Sequence, residues 1–165
     1  MDLIFPHHEN EIAQSCGSHN ENLNPAVYCK YWLHNALLNM DGEKMSKSVG
    51  NIVYIRELLK EHKGETLRMA LLSSHYRQPL NWNDKTIDRA QKVLNKLYRM
   101  LKNAEEIEVD YEKINEKVPV SLIESLCDDL NTSKALADIN EIAKKLSKEK
   151  NNNKKTALKE SLLAA

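Results

Sequence analysis

The first group of residues that could do chemistry lies near the start of the chain, in residues 5–11, Phe-Pro-His-His-Glu-Asn-Glu. His7 and Glu11 are four residues apart, so on a helix their side chains share one face. An imidazole nitrogen and a carboxylate oxygen placed in this way can both bind one zinc ion, at roughly 2.0–2.2 Å each. The same spacing also occurs on solvated helix faces, so the spacing alone leaves both interpretations open.

The second group is the Lys-Met-Ser-Lys-Ser sequence of residues 44–48, which Gly50 and Asn51 follow. Two lysines, small hydroxyl residues and a glycine make a loop that can close over phosphate groups. Lysine suits this task because it is a point charge on a flexible stem, and it can stabilise negative charge that develops on a polyphosphate. The alternative is an ordinary basic turn, but a given five-residue sequence seldom occurs by chance in a chain of this length. The loop therefore predicts phosphate binding by Lys44 and Lys47.

A third group lies between Trp82 and Ala104, where apolar residues recur at steps of three and four, which predicts one long helix with a core-facing stripe. The opposite side of this helix carries a row of basic residues, which is called the basic row below: Lys85, Arg89, Lys92, Lys96 and Arg99. Such a row is typical of a solvated helix face, and it also suits a phosphate backbone. The acidic run that follows the helix should then lie away from any nucleic acid; it comprises Glu105, Glu106, Glu108, Asp110 and Glu112.

The elements that must position these residues are mostly helices, because four Gly and four Pro in 165 residues leave few turn signals. Lys plus Arg equals Asp plus Glu at 24 each, so a nucleic-acid signal must come from local patches. Three widely spaced cysteines favour a reducing compartment. No apolar run approaches the roughly 20 residues that cross a bilayer. We therefore expect a cytoplasmic monomer with no membrane partner.

Local signals divide the chain further. Pro6 predicts a helix from His7 to Ser15, and Pro25 predicts another from Ala26 to Asn35. Residues 36–40 should be extended and Asp41-Gly42 a tight turn. Short helices should follow from Tyr54 to Ser74, and Ser121 with Glu124 predicts a capping box at the start of a later helix.

The two motifs together resemble the cysteinyl-tRNA synthetases, class I ligases that activate cysteine with ATP and transfer it to tRNA-Cys. The resemblance implies that His7 and Glu11 are zinc ligands and that zinc binds the thiol of the substrate cysteine, which helps reject serine. It implies that Lys47 binds ATP, with Lys44 in support. In the family a strand that carries an Asp leads into the His-His motif, which implies a role for Asp2 in ATP binding.

Residues 128–136, Asp-Asp-Leu-Asn-Thr-Ser-Lys-Ala-Leu, resemble the family's Asp-Phe-Asn-Thr segment in its helical tRNA-binding domain, and residues 75–77 and 80–81 are also similar to the family. The expected fold class is mainly α: the C-terminal remnant of a Rossmann-like class I catalytic domain followed by a helical bundle. The expected domains are residues 1–52 (catalytic), 53–81 (connecting helices) and 82–165 (a bundle that faces tRNA, incomplete at its end).

The resemblance covers only the C-terminal part of the family's sequence. The upstream half, with its His-Ile-Gly-His motif and two cysteine zinc ligands, is absent, so we expect the chain to be inactive alone. Cys16 is a poor substitute ligand, because it lies roughly 13 Å along the helix axis from His7. Two alternatives stay open: a ligase that joins cysteine to a glucosamine-inositol, which shares both motifs, and a non-catalytic helical module that binds tRNA.

Overall fold

A computed structural model of the chain describes residues 4–18 and 28–165, and the chain divides into two compact units after Asn35. Asp2, which was predicted to contact ATP, lies outside the described residues, as do the first two residues of the helix predicted from Ala26.

The described part of the first unit contains an irregular turn, Ile4–His8, in which the backbone of Phe5 is extended (φ −131°, ψ 132°), and helix α1, Glu9–Ser18. The helix predicted after Pro6 is therefore present, although its regular part begins only at Glu9. Ile12 and Cys16 are buried, and because they are four residues apart they form the inward face of α1. Cys16 is thus a packing residue in this structure.

The helix predicted from Ala26 to Asn35 is wrong for the described residues of that range, because residues 29–35 are not helical. The Cys29 thiol donates to the carbonyl of Tyr31, 2.6 Å away, and the Trp32 ring stacks against that of Tyr28 at 5.5 Å. These contacts, together with those that His34 makes, stabilise an irregular segment. A helical propensity read from sequence does not include such side-chain contacts.

The second unit begins with a small three-stranded sheet of order β2-β1-β3. Strand β1, Leu38–Met40, pairs antiparallel with β2, Glu43–Lys44. The turn between them is Asp41-Gly42, as predicted, with φ of 50° and 91°, which is the left-handed geometry that a two-residue hairpin requires. Strand β3, Leu80–Trp82, pairs parallel with β1 and was not predicted.

Three helices pack on this sheet: α2, Ile55–Glu61, α3, Gly64–Leu72, and α4, Asp84–Lys102. Asn83 caps α4, since its side-chain oxygen accepts from the backbone N–H of Thr86 at 3.0 Å. The core between these elements contains the buried side chains of Leu67, Ala70, Trp82, Ile87 and Ala90. The last two belong to the stripe predicted for α4.

The rest of the chain is helical: a 3₁₀ segment, Tyr111–Lys117, and helices α5, Val120–Cys127, α6, Thr132–Lys148, and α7, Asn152–Ala164. A second core lies between α4, α6 and α7 and contains Ala104, Ala143, Leu146 and Leu162. The predicted mainly α fold is confirmed. None of the described helices is long and apolar enough to cross a membrane.

The capping box predicted at Ser121 and Glu124 is wrong. The N-cap of helix α5 lies two residues earlier, at Pro119, which has φ −61° and ψ 133° and makes no side-chain hydrogen bond. The fixed φ of proline sets the direction in which the chain enters the helix, so Ser121 lies within the first turn. The proline overrides the capping signal of the serine.

Candidate functional site

His7 and Glu11 lie beside each other in the first unit. The Nδ1 atom of His7 is 4.0 Å from Oε1 of Glu11, and both side chains are about half exposed. Two ligand atoms of one tetrahedral zinc ion are about 3.3 Å apart when each is about 2.0 Å from the metal. A small rotation of either side chain would bring the pair to that separation, so the two side chains fit two positions of a zinc site.

Two ligands do not make a complete site. Within residues 4–18 and 28–165, no group of three or more His, Cys, Asp or Glu side chains is placed to hold a metal ion. Structural and catalytic zinc sites use at least three protein ligands. His7 and Glu11 can therefore form only part of a metal centre.

Two further imidazoles, those of His8 and His34, lie near His7; the ring of His8 is 5.6 Å from that of His7. Nε2 of His34 is 3.1 Å from Nδ1 of His8, and the ring of Trp32 lies 5.0 Å from that of His8. Burial, together with the neighbouring His34 and His7, lowers the pKa of His8, which favours its neutral form. The sequence did not indicate His34 and Trp32, because they lie 26 and 24 residues along the chain from His8, which they contact.

The Lys-Met-Ser-Lys-Ser loop is closed by Asn51. Its side-chain oxygen accepts from the backbone N–H of Ser46 at 2.9 Å, and its amide group donates to the carbonyl of Lys44 at 3.3 Å. The N–H of Gly50 donates to the carbonyls of Ser46 and Lys47, both at 3.2 Å. Gly50 has φ +74°, a conformation that favours glycine. Asn51 thus joins the two ends of the loop, a role that the sequence motif did not reveal.

The loop is also fixed to the sheet. The N–H of Met45 donates to the carbonyl of Leu38 at 3.2 Å, and the side chain of Asn81, on β3, accepts from the N–H of Gly42 at 2.9 Å. Lys44 ends strand β2, whereas Lys47 lies in the turn, with an exposed side chain that forms no ion pair with any described residue. The loop therefore presents the Lys47 ammonium to solvent from a fixed base.

The basic row lies on α4 as predicted. Four of its members are exposed and Lys96 is half-buried, while Ile87, Ala90 and Leu94 on the opposite side are buried. None of the five forms an ion pair within the described parts of the chain, although many other basic residues do. Unpaired positive charge in a row is available to an anionic partner.

A polar cluster joins the loop before β3 to the turn between α5 and α6. Arg77 donates from Nε to Oδ2 of Asp129 at 2.6 Å and from its terminal amine to Oδ1 at 3.2 Å, and the Tyr76 hydroxyl donates to Oδ1 at 2.5 Å. Asp129 and Leu130 have φ of 53° and 54°, a left-handed conformation that is strained for residues other than glycine. We call these three side chains, Tyr76, Arg77 and Asp129, the Asp129 clamp, because they hold that strained turn in place.

These features define a class of protein. The lysine loop on its small sheet and the helical half with its basic row are consistent with the comparisons with known families. The chain belongs to the class I tRNA synthetases, since the family model described as "tRNA synthetases class I (C) catalytic domain" matches residues 1–92. The model of the DALR domain matches residues 121–165.

Curated relatives carry one particular name. The chain is 43% identical over 165 residues to the cysteine–tRNA ligase of Parvibaculum lavamentivorans and 44% identical over 165 residues to that of Xanthomonas campestris pv. campestris. In each case the match covers 100% of this chain and 34% of the relative. It is 48% identical over 145 residues to the cysteine–tRNA ligase of Rickettsia africae, covering 87% of this chain and 29% of that protein. The chain thus spans about a third of the length of these relatives.

Proposed function

We propose that the chain forms part of a cysteine–tRNA ligase, which activates cysteine with ATP and transfers it to tRNA-Cys. The observation that carries this proposal is the similarity over the whole chain to cysteine–tRNA ligases, which includes the Lys-Met-Ser-Lys-Ser loop. The match of residues 121–165 to the DALR domain, which binds tRNA, favours a tRNA ligase over a ligase that acts on a glucosamine-inositol.

In this proposal Lys47 binds the phosphates of ATP. Its exposed ammonium is carried by a loop that Asn51 closes and the sheet anchors, so the charge can meet a polyphosphate without unfolding the base of the loop. Lys44 supports it from the end of β2. In activation the cysteine carboxylate attacks the α-phosphorus of ATP and the bond to the β-phosphate breaks, so negative charge develops on the departing pyrophosphate. The Lys47 ammonium should therefore act more in the transition state than on bound ATP.

His7 and Glu11 would supply two zinc ligands, with the remaining ligands from family segments outside this chain. When bound, zinc would bind the thiolate of the substrate cysteine. Because zinc binds a soft thiolate more strongly than a hydroxyl, this bond would distinguish cysteine from serine. Three rings lie close to His7 and Glu11, those of His8, His34 and Trp32. They would exclude water from one side of the bound zinc. The basic row would contact the phosphate backbone of tRNA.

A chimera tests the proposal directly. In it, this chain replaces the matching third of the Parvibaculum lavamentivorans enzyme. We expect the chimera to catalyse cysteine-dependent exchange of pyrophosphate into ATP, and the chain alone to show no exchange. Lys47→Ala in the chimera should lower the exchange rate at least about 100-fold, with a much smaller change in ATP affinity.

Lys60→Ala is the matched control, because Lys60 is an exposed lysine on α2 that pairs with Glu57. It should leave the exchange rate unchanged. An inactive, folded chimera would contradict the proposed activity, and a chimera whose exchange rate is the same with and without Lys47 would contradict the role of that lysine.

A further inference from the structure

A groove of about 440 Å³ lies between the end of α3, the middle of α4 and the start of α6. Binding sites for small ligands have volumes of about 300–1,000 Å³, so the groove has room for one nucleoside. Its apolar lining includes Met69, Val93 and Leu136. Its polar lining includes Ser74 and Ser133, which carry hydroxyl groups.

The charge at the groove has one sign. Arg89 lines it, and none of the described residues that line it is an aspartate or a glutamate. Arg89 forms no ion pair with another described residue, so its guanidinium is available for an anion. A guanidinium binds phosphate with two parallel N–H donors. Apolar side chains, hydroxyl groups and one guanidinium in the same lining match the flat face, the polar edges and the phosphate of a nucleotide.

The groove is continuous with the basic row. Arg89 belongs to both, and Val93 follows it by one turn on the groove side of α4. At 1.5 Å per residue, the row from Lys85 to Arg99 extends about 21 Å along the helix. A nucleic-acid strand whose phosphates follow the row would therefore pass the mouth of the groove.

The walls of the groove are already joined without a ligand. The hydroxyls of Thr132 and Ser133, at the start of α6, donate to the carbonyls of Ser74 and Ser73, each at 3.4 Å. The Asp129 clamp also connects the segment after α3 to the segment before α6, since Arg77 and Asp129 lie three residues from Ser74 and Thr132, respectively. A preformed groove binds more tightly than one that must be ordered, since less conformational entropy is lost.

We propose that this groove receives one unpaired nucleotide of the bound tRNA, with its base against Val93 and Leu136 and its phosphate at Arg89. This inference rests on the proposed tRNA ligase function. RNA-binding proteins recognise unpaired bases by taking them out of the stack into such sites. The groove would add an apolar contact to the charge interactions of the basic row.

Filling the groove tests the proposal. The probe is a tRNA-Cys transcript, titrated against the chain over a series of salt concentrations. Val93→Phe should weaken binding about tenfold at every salt concentration and leave the slope of log Kd against log salt unchanged, because no charge is lost. Arg89→Ala should weaken binding and also reduce that slope by about 0.7–0.9, the contribution of one phosphate contact.

Three further variants keep the test clear. Ser133→Phe fills the groove from the α6 wall at an exposed position and should reproduce the effect of Val93→Phe. Ser133→Ala removes the same hydroxyl bond to Ser73 without filling the groove, and should bind as the parent does. Asn95→Phe adds a ring on the other flank of the basic row, at the same angle from it as Val93, and should bind as the parent does.

The outcomes separate the two proposals. If the parent binds tRNA-Cys and both groove-filling variants bind equally well across the salt series, the groove is not a nucleotide site, whereas the proposed function stands. If the parent does not bind tRNA-Cys at any salt concentration and the chimera is inactive, the proposed function fails and this inference fails with it. A tenfold loss confined to the groove variants supports it.

Discussion

At the scale of single residues, some side chains of the chain can bind a ligand by themselves, whereas others act only together with neighbouring side chains. Lys47 is exposed on an anchored loop and can meet a phosphate directly. His7 Nδ1 and Glu11 Oε1 lie 4.0 Å apart, and two such side chains need further ligands to hold a metal ion. Asp129 is held by three donors from two other residues, so its effect depends on both of them.

The proposed zinc role of His7 and Glu11 leads to a prediction about metal content. Because two protein ligands leave a zinc ion mostly hydrated, the chain should hold no stoichiometric zinc after dialysis against metal-free buffer. The chimera, which supplies further family ligands, should retain about one zinc per molecule and lose it with His7→Ala. Elemental analysis measures both. Tight one-to-one zinc in the chain alone would show that its ligand set is complete without the upstream segments.

The Asp129 clamp leads to a prediction about pH. The hydrogen bonds from Arg77 and Tyr76 lower the pKa of Asp129, so its stabilising effect is full above the unfolded pKa of about 3.9 and is lost as the pH falls through the lower folded pKa. The bond to Asp129 raises the pKa of Tyr76, so that contribution is full below about pH 10 and is lost above it.

Asp129→Asn should therefore lower the melting temperature between about pH 5 and pH 9. The difference from the parent should begin to shrink below about pH 4, where the unfolded chain takes up a proton, and should vanish as the pH falls through the lower folded pKa of Asp129, where the parent also loses its carboxylate. Thermal unfolding followed by circular dichroism across this range is the measurement. Asp128→Asn removes the same charge from the neighbouring exposed position and should have a smaller effect; equal effects would mean that net charge, and not the clamp, is responsible.

At the scale of elements, the helices after α4 are joined by a buried lysine. Lys159 on α7 is only 6% exposed, and its ammonium donates to the carbonyls of Ile107 at 2.7 Å and Glu105 at 3.3 Å. These carbonyls follow the end of α4, where no helical partner is left for them. The lysine thus fixes α7 to the segment that precedes the 3₁₀ turn.

Lys159→Met keeps the apolar length of the side chain and removes the ammonium. Because it leaves two carbonyls without this donor, it should lower the free energy of unfolding by about 1–3 kcal/mol. Urea unfolding measures the change. Lys154→Met, at an exposed position on the same helix, should stay within about 0.5 kcal/mol of the parent. A similarly small effect at Lys159 would mean that water replaces its ammonium.

At the scale of the whole molecule, zero net charge conceals a separation of charges along the chain. The five side chains of the basic row lie on α4 without ion-pair partners among the described residues, and an acidic run follows directly after that helix. Net charge therefore does not indicate a binding partner, whereas the row of positive charge on α4 indicates an anionic one.

Reversing two charges in the row tests its contact with RNA. Lys92→Glu combined with Lys96→Glu should weaken the binding of tRNA-Cys and flatten its salt slope by about 1.4–1.8, two phosphate contacts at about 0.7–0.9 each. Lys113→Glu combined with Lys117→Glu makes the same change in charge in the 3₁₀ segment, Tyr111–Lys117, and should leave the slope unchanged. If the two double variants behave alike, the row is only a solvated surface.

The sequence by itself determined the features that depend on near neighbours. Asp41-Gly42 specified the hairpin turn, because few residues adopt positive φ at two successive positions. The three- and four-residue steps of apolar residues specified the buried side of α4 and, with it, the side on which the basic row lies. The motif of residues 44–48 and its place after a turn were also readable, since both are local.

Only the tertiary structure decided the features that join distant segments. Strand β3 forms because β1 lies beside it, some 40 residues earlier in the chain, and its three residues alone carry no strand signal. The irregular course of residues 29–35 depends on contacts with His8, and the groove beside Arg89 exists only because α3, α4 and α6 meet there. Local propensity contributes a few tenths of a kcal/mol per residue, so contacts of this kind override it.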